Sequence, residues 1–149
     1  MFTAPYSKLS RVGFDPATDY PLGSRRPDIV STPGGIPLAD VTLEALRAGR
    51  LRGEEIRAAP ETLVRQAEVA AAAGRPQLAE NLGRAAELAS VPAGVILDIY
   101  TALRPHRSTA AELGGLAGRL ESDYGAPLTA AFVREAQAVY AERGLLATK

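Results

Sequence analysis

The sequence predicts an all-α protein, a small domain of five or six helices that follows an extended, proline-rich N-terminal arm. Three observations indicate this class. From residue 39 onward, apolar residues recur at helical spacing, with prolines and glycines where helices would begin and end. No segment alternates between apolar and polar residues over five or more positions, as a half-buried strand does. Six of the eleven prolines lie in the first 37 residues, where we expect no regular element.

The arm comprises residues 1–38, and the helical domain comprises residues 39–149. Four of the eight aromatic residues lie in the arm: Phe2, Tyr6, Phe14 and Tyr20. Because disordered tails are poor in such residues, we expect the arm to order against another surface, with a flexible leader as the alternative. Pro33-Gly34-Gly35 predicts a turn within it.

The first two helices of the domain are predicted from their N-terminal ends. Asp40 or Thr42 can cap a short helix. A longer helix begins at Pro60, since the first helical position does not use an amide hydrogen. Within that helix Glu61 precedes Arg65 by four positions, the order that favours an ion pair. Four glycines are predicted to end helices along the chain: Gly49, Gly74, Gly125 and Gly144.

The next two helices carry apolar faces that we expect in the core. One begins at Pro76, and its predicted buried face consists of Leu78, Leu82, Ala85, Ala86 and Ala89. The other begins near Pro92, and its apolar stripe consists of Ile96, Ile99, Tyr100 and Leu103. Val95 and Leu97 extend the apolar character around this second helix, so we expect it to make contacts on more than one side.

Two further helices complete the domain. Thr109, with Glu112 three residues later, predicts a capping box at the start of one. Its predicted buried face consists of Leu113, Leu116, Ala117, Leu120 and Tyr124. Gly114, Gly115 and Gly118 weaken this helix by roughly 1 kcal/mol each relative to alanine if they are exposed. The last helix begins at Pro127 and runs to Gly144.

Composition argues against most kinds of chemistry in this chain. Seventeen basic residues balance seventeen acidic ones, so no net field attracts nucleic acid or a membrane. Cysteine is absent, and the only lysines, Lys8 and Lys149, do not form a phosphate-binding loop. We interpret His106 as a solvated turn residue and the pair Glu54-Glu55 as exposed acids rather than a catalytic dyad. Without a signal peptide or an apolar span, the expected protein is soluble and intracellular.

A series of stretches matches one known family in order. They include Asp19-Tyr20-Pro21-Leu22, the segments 37–44 and 75–81, Ile96-Leu97-Asp98-Ile99-Tyr100-Thr101-Ala102-Leu103-Arg104-Pro105 and Ala130-Ala131-Phe132-Val133-Arg134-Glu135-Ala136. These stretches resemble the small subunit of adenosylcobalamin-dependent diol and glycerol dehydratases, and the resemblance covers nearly everything from Asp19 onward. One difference is that the glycines at 114, 115 and 118 replace stronger helix formers of the family.

The resemblance implies a complex of large, medium and small subunits, usually two of each. Such an enzyme converts a 1,2-diol or glycerol into an aldehyde and water by radical chemistry that starts at the cobalt–carbon bond of adenosylcobalamin. The family's large subunit holds the catalytic residues, and the cofactor lies between the large and medium subunits. We therefore expect no catalytic, cofactor-binding or metal-ligating residue in this chain, and the choice between glycerol and propanediol stays open.

The resemblance also suggests how the chain is used. We expect a non-catalytic subunit that packs on the large subunit and stabilises it, in the cytoplasm or in a bacterial microcompartment. Only eighteen residues precede Asp19, and this short leader argues against packaging. The hypothesised interface consists of the anchors Phe14, Tyr20 and Leu22 and the rim residues Arg25, Arg26 and Arg104. The alternatives are a stand-alone helical adaptor with an interacting N-terminal arm and a small independent enzyme.

Overall fold

A computed structural model describes residues 13–148, and over that range the fold is all-α. The predicted fold class is confirmed. Eight α-helices occur in these residues: α1 Pro16–Asp19, α2 Leu22–Arg25, α3 Leu43–Arg47, α4 Pro60–Ala72, α5 Pro76–Leu88, α6 Ala93–Ala102, α7 Ala110–Ser122 and α8 Pro127–Arg143. None of these helices is both long and apolar enough to cross a membrane.

The chain divides into two units between Ala89 and Ser90. The first unit contains α1 to α5, and the second contains α6 to α8. The division of the chain into an arm and a domain at residue 38 stays a prediction. Phe2 and Tyr6, two aromatics of the predicted arm, lie outside the described residues.

Most of the predicted helix ends are confirmed. Proline occupies the first turn of α4, α5 and α8, and the Thr42 side chain caps α3 by accepting from the Ala45 amide at 3.1 Å. Thr109 and Glu112 form the predicted capping box of α7. The four glycines predicted to end helices all have positive φ angles, between 60° and 72°. Such backbone angles are easy for glycine and strained for other residues.

The expectation that the arm contains no regular element is wrong. In the described part of the arm, residues 13–38, there are two single-turn α-helices, α1 and α2, and one 3₁₀ turn, Pro27–Ile29, and a further 3₁₀ turn, Leu38–Asp40, begins at the last arm residue. Pro16 and Pro27 occupy the first position of their turns, where proline's fixed φ favours a helix. The prolines therefore start short turns in the arm instead of keeping it extended. The turn predicted at Pro33-Gly34-Gly35 is confirmed, since the Gly35 amide donates to the Thr32 carbonyl at 2.9 Å.

The core of the first unit is built from small side chains where α4 packs against α5. The buried residues of these two helices include Val64, Ala67, Ala70, Ala79, Gly83 and Ala86. Small residues let two helix backbones approach closely, so α5 turns Ala79, Gly83 and Ala86 inward. The predicted α5 face is therefore wrong in part, because Leu78 is 42% exposed and Leu82 is half-buried.

The core of the second unit is built from larger side chains where α7 packs against α8. Leu113, Leu116, Ala117 and Leu120 are buried as predicted, and Ala130 and Val133 of α8 are buried with them. Helix α6 behaves differently, since Ile99 is its one buried residue. Tyr100, which we assigned to the core stripe of α6, is exposed, and so is Leu97.

Candidate subunit interface

The described part of the arm packs on helices of its own unit. Helix α1 packs against α4, and Leu22 of α2 is only 8% exposed. The guanidinium of Arg65, on α4, donates from Nη1 to the Ile29 carbonyl at 2.7 Å. The arm is thus tied to the first unit by an apolar contact and by a hydrogen bond across 36 residues of sequence.

Arg65 is a charged side chain in an unusually enclosed position. It is 7% exposed, and its Nε is buried with no hydrogen-bond partner among the described residues. No ion pair between Glu61 and Arg65 occurs in the described part of the chain, so the sequence-based pairing is wrong. Burial raises the pKa of Glu68, one turn along α4, and the positive charge of Arg65 acts against that rise.

Glu55 forms a second tie between the arm and the rest of the first unit. Its Oε2 accepts hydrogen bonds from the Thr32 hydroxyl and from the Gly34 amide, the latter at 3.0 Å. A Cβ added at Gly34 would overlap the Glu55 carboxylate, so that carboxylate would have to move away from residue 34. Glu54 is exposed and lies 3.4 Å from Arg52. The interpretation of Glu54-Glu55 as two exposed acids therefore missed the structural role of Glu55.

Arg26 is the centre of a polar cluster within the arm. Its guanidinium contacts Asp19 at 2.9 Å and Asp28 at 3.0 Å, and Nη1 also donates to the Gly13 carbonyl. The hydrogen bond from Arg26 holds the pKa of Asp28 below its ordinary value. Arg25 is exposed and makes a lighter contact, donating to the Thr18 carbonyl at 2.9 Å. The donors of Arg26 are therefore engaged within this chain.

The arm and the two long helices of the first unit enclose a cleft of about 700 Å³. Tyr20, Leu22 and Gly23 line it from the arm, and Val69, Leu78 and Leu82 line it from α4 and α5. Gln66 and Arg75 supply polar groups. Tyr20 is 54% exposed and Leu78 is exposed beside it. The result is an aromatic and aliphatic surface that faces solvent and is held in place by the ties described above.

The hypothesised interface residues occupy different environments. In the first unit, Tyr20 and Arg25 are exposed, Phe14 and Arg26 are half-buried, and Leu22 is buried. Arg104 is exposed and follows α6 in the second unit. The cleft brings Tyr20 and Leu22 together, and it adds Leu78, which the sequence pattern had assigned to the core. The assignment of the six residues to an interface stays a prediction.

The second unit has a cleft of about 820 Å³ between α6 and α7. Its lining is mixed in charge and consists of Asp98, Thr101, Ala102, Arg107, Ser108, Glu112, Gly115, Leu116 and Arg119. Two side chains hold the end of α6 beside this cleft. The Ser108 hydroxyl donates to the Ala102 carbonyl at 3.0 Å, and the Tyr140 hydroxyl donates to the Leu103 carbonyl at 2.5 Å. These bonds satisfy carbonyls that a helix end leaves open.

His106, the single histidine, is a surface residue of the second unit. His106 is exposed in a turn with φ 61°, and its amide donates to the Leu145 carbonyl at 2.7 Å. The interpretation of His106 as a solvated turn residue is confirmed. In the part of the chain that the structure describes, no group of three or more histidine or carboxylate side chains could hold a metal ion.

Comparison with known proteins places the chain in a family. A family model described as the dehydratase small subunit matches residues 16–147. The propanediol dehydratase small subunit of Citrobacter freundii is 51% identical over 126 residues, which are 85% of this chain and 73% of that protein. The protein of the same name from Salmonella typhimurium is 48% identical over the same shares. Since the family match runs through both units, the chain belongs to the dehydratase small-subunit family and is a subunit of a dehydratase.

Proposed function

We propose that this chain is the non-catalytic small subunit of a propanediol dehydratase and that it docks on the large subunit and stabilises it. Such an enzyme removes water from a 1,2-diol, or from glycerol, to give an aldehyde. Two relatives at about half identity carry the name propanediol dehydratase small subunit, which supports the substrate class. In this proposal the subunit is located with the rest of the enzyme, in the cytoplasm or in a bacterial microcompartment.

The observation that carries the docking proposal is the exposed apolar surface around Tyr20. Tyr20 and Leu78 present an aromatic ring and a branched side chain to solvent at the edge of a cleft. Aromatic residues are enriched in the cores of protein interfaces, and exposed apolar patches beside polar groups often mark them. The arm here is tied to its own unit before any partner binds, so little ordering entropy opposes docking.

The hypothesised anchors have distinct roles in this proposal. Tyr20 contacts the partner directly, with Phe14 at the margin of the surface. Leu22 is buried against its own unit and lines the same cleft as Tyr20, so in this proposal it holds the arm in place at that cleft. Arg25 lies on the rim, and Arg26 fixes the arm through Asp19 and Asp28. Arg104 is exposed after α6 in the second unit, and its role as a rim residue stays a prediction.

Adenosylcobalamin, in this proposal, is bound by the large and medium subunits, with two copies of each of the three subunits in the complex. The described residues do not fit a corrin ring. The cleft between α6 and α7 has charged residues of both signs, including Asp98 and Arg119, and the single histidine, His106, is exposed in a turn and does not line that cleft. Cofactor sites are mostly apolar, so in this proposal we assign this chain no cofactor contact.

Reconstitution tests the proposed function. The chain is co-expressed with the large and medium subunits, and aldehyde formation from 1,2-propanediol and from glycerol is measured with and without adenosylcobalamin. We expect activity only from the complete complex with cofactor. A stable monomer that does not bind the other subunits would support the stand-alone adaptor instead. Aldehyde formation by this chain alone would make it an independent enzyme and overturn the proposal.

A point variant tests the surface itself. Deleting residues 1–38 would remove Leu22 and the acceptor of Arg65, and would therefore disturb α4 as well as the surface. Tyr20→Ala removes the exposed ring alone, and we expect at least a tenfold loss of affinity for the large subunit with unchanged helix content. Ile56→Ala is the control, because Ile56 is 59% exposed in the same unit but does not line the cleft. Equal affinity of the two variants would exclude this surface from the interface.

A further inference from the structure

Helix α6 presents an apolar face to solvent. Its sequence contains a single charged residue, Asp98, yet Ile99 is its one buried residue. Leu97 is 64% exposed and Tyr100 is 69% exposed. These two residues are three positions apart, so they lie on the same face of the helix together with Thr101. We expected α6 to make contacts on more than one side, but its apolar surface is covered on one side only.

This exposed face belongs to a fixed helix. The last carbonyls of α6 accept hydrogen bonds from Ser108 and Tyr140, at 3.0 and 2.5 Å. The segment after α6 is bonded to the C-terminal residues, since the Ala147 amide donates to the Ser108 carbonyl at 2.9 Å. Contacts of this kind hold Leu97 and Tyr100 in place before binding, which lowers the entropy lost on association.

The exposed face of α6 continues into the cleft between α6 and α7. Thr101 belongs to the exposed side of α6 and also lines the cleft. Gly115 of α7 lines it too, and a Cβ added there would meet nothing within 4 Å. Glycine weakens the middle of a helix, and no neighbour in this chain requires it at that position. An open position of this kind allows another backbone to approach α7 closely.

The area available on each unit indicates that a partner needs more than the Tyr20 surface. A stable complex buries about 800 Å² on each side. A fully covered tyrosine contributes about 200 Å², so the exposed fractions of Tyr20 and Tyr100 together amount to about 250 Å². The Tyr20 ring therefore supplies only a small part of the required area. Among the described large apolar residues, Leu97 and Tyr100 are the most exposed, so the α6 face is the first candidate for the further contact that a large subunit docked at Tyr20 would need.

We propose that the α6–α7 groove is a docking site for a polypeptide segment of the large dehydratase subunit. The groove consists of Leu97, Tyr100 and Thr101 with the cleft lined by Gly115. The segment's backbone passes over Gly115, and an apolar side chain of the segment packs on Leu97 and Tyr100. Charged groups of both signs, at Asp98, Glu112, Arg107 and Arg119, line the cleft for polar contacts. This inference rests on the proposed function, in which the chain docks on the large subunit.

Two alanine substitutions on α7 test the groove. Gly115→Ala adds a methyl group inside the cleft, whereas Gly118→Ala adds one on the same helix outside the cleft, and neither added Cβ has a neighbour within 4 Å. Both substitutions favour the helix, so both free chains should unfold at the same or higher urea concentration than the unchanged chain. We expect Gly115→Ala to weaken binding to the large subunit at least fivefold and Gly118→Ala to leave it unchanged. Tyr100→Ala should weaken binding at least tenfold.

The outcomes separate the groove from the proposed function. If the unchanged chain does not bind the large subunit, the proposed function fails. If it binds and Gly115→Ala binds equally well, or loses no more affinity than Gly118→Ala, the groove is overturned while the proposed function stands. Sedimentation of the free chain, which measures its oligomeric state, provides a third test. A dimer that Tyr100→Ala converts to a monomer would make a second copy the occupant and would also overturn the proposal.

Discussion

The helix pairs at the cores of the two units, α4–α5 and α7–α8, are filled by side chains of different sizes. In the first unit, alanines and a glycine fill the α4–α5 contact, and Leu78 lies outside at the cleft. In the second unit, Leu113 and Leu120 are fully buried between helices. Small side chains bury little area, so the first unit depends more on specific polar ties, through Arg65 and Glu55. The second unit depends more on packing.

This difference also separates the two candidate docking surfaces. The Tyr20 surface is formed by an arm segment that is distant in sequence from α4 and α5, so it exists only while the ties hold. The α6 face is formed within one helix and its neighbour, and two hydrogen bonds at the end of α6 stabilise it. The affinity of a partner that contacts both surfaces should therefore change differently when substitutions are made in the first unit and in the second.

The largest expected effect is in the core of the second unit. Leu113→Ala removes a fully buried side chain and leaves a cavity, so we expect unfolding free energy to fall by about 3 kcal/mol. Leu97→Ala is the matched control, because Leu97 is largely exposed on α6, and it should change stability by no more than about 0.5 kcal/mol. Urea unfolding followed by circular dichroism measures both. Similar losses for the two variants would contradict the packing assigned to this unit.

The first unit should be sensitive at a polar tie instead. Gly34→Ala places a methyl group against the Glu55 carboxylate and displaces it, which breaks the hydrogen bonds from Thr32 and Gly34. Hydrogen bonds to a charged group are stronger than neutral ones, so we expect a loss of about 2 kcal/mol in urea unfolding. Limited proteolysis should then cleave the arm faster.

A matched glycine and a double substitution sharpen that prediction. Gly53→Ala is the control, since an added Cβ there meets nothing within 4 Å. If displacement of Glu55 is the cause, Gly34→Ala combined with Glu55→Ala should be no less stable than Glu55→Ala alone. If the double variant instead lost the sum of the two single losses in unfolding free energy, Gly34→Ala would act through the backbone of the turn. The hydrogen bonds of Glu55 would then not explain the sensitivity of the first unit at Gly34.

The parts of the fold that follow local chemistry could be predicted from the sequence. Helix starts at Pro60, Pro76 and Pro127 and the capping box at Thr109 depend on residues within one turn of each other. The resemblance to the dehydratase small subunit depends on long ordered matches and is borne out by the family model. Helix ends and family matches can therefore be predicted without knowing which helices pack against each other.

The parts that depend on distant partners could not be predicted in this way. Arg65 seemed suited to an ion pair with Glu61, but its donor reaches Ile29, 36 residues earlier in the chain. Helical spacing gives α5 two apolar faces, and only the close contact with α4 selects the one with Ala79 and Gly83. Tyr100 is likewise exposed because α7 packs chiefly against α8, a choice of partner that the helical spacing of α6 does not reveal. The α6–α7 cleft has no signal in the sequence beyond the glycines of α7.

A smaller effect is expected where a single cap is removed from the second unit. The Thr109 side chain accepts from the Glu112 amide, and Glu112 bonds back to the Thr109 amide at 2.8 Å. Thr109→Ala should lower the unfolding free energy by about 1 kcal/mol. Helix α4 provides the comparison, since its N-cap residue is Ala59 and makes no side-chain cap. A substitution at Ala59 would also disturb packing, because Ala59 is buried. The control is therefore Ala58→Ser at the exposed position before it, for which we expect no measurable change in the unfolding free energy.

The smallest effect is a difference in acid response between the units. Two hydrogen bonds from Arg134 on α8 lower the pKa of Glu121 on α7, whereas burial raises the pKa of Glu68 on α4. The charged form of Glu121 is favoured by folding, so its contribution is present above the ordinary pKa of 4.5 and is lost as pH falls through the lowered value. The neutral form of Glu68 is favoured by folding, so its contribution is complete below 4.5 and is lost as pH rises through the raised value.

Glutamine substitutions should therefore shift stability in opposite directions. At about pH 7, Glu68→Gln should raise the urea midpoint, because a neutral side chain avoids the desolvation of a half-buried carboxylate. Glu121→Gln should lower the midpoint at the same pH, because it removes the charged acceptor of Arg134. The Glu68 difference should shrink as pH falls through the raised pKa of Glu68, and the Glu121 difference should persist until pH falls through the lowered pKa of Glu121. If Glu68→Gln instead lowered the urea midpoint at neutral pH, the positive charge of Arg65 would stabilise the Glu68 carboxylate more than burial penalises it. Arg65 would then have a carboxylate partner within α4.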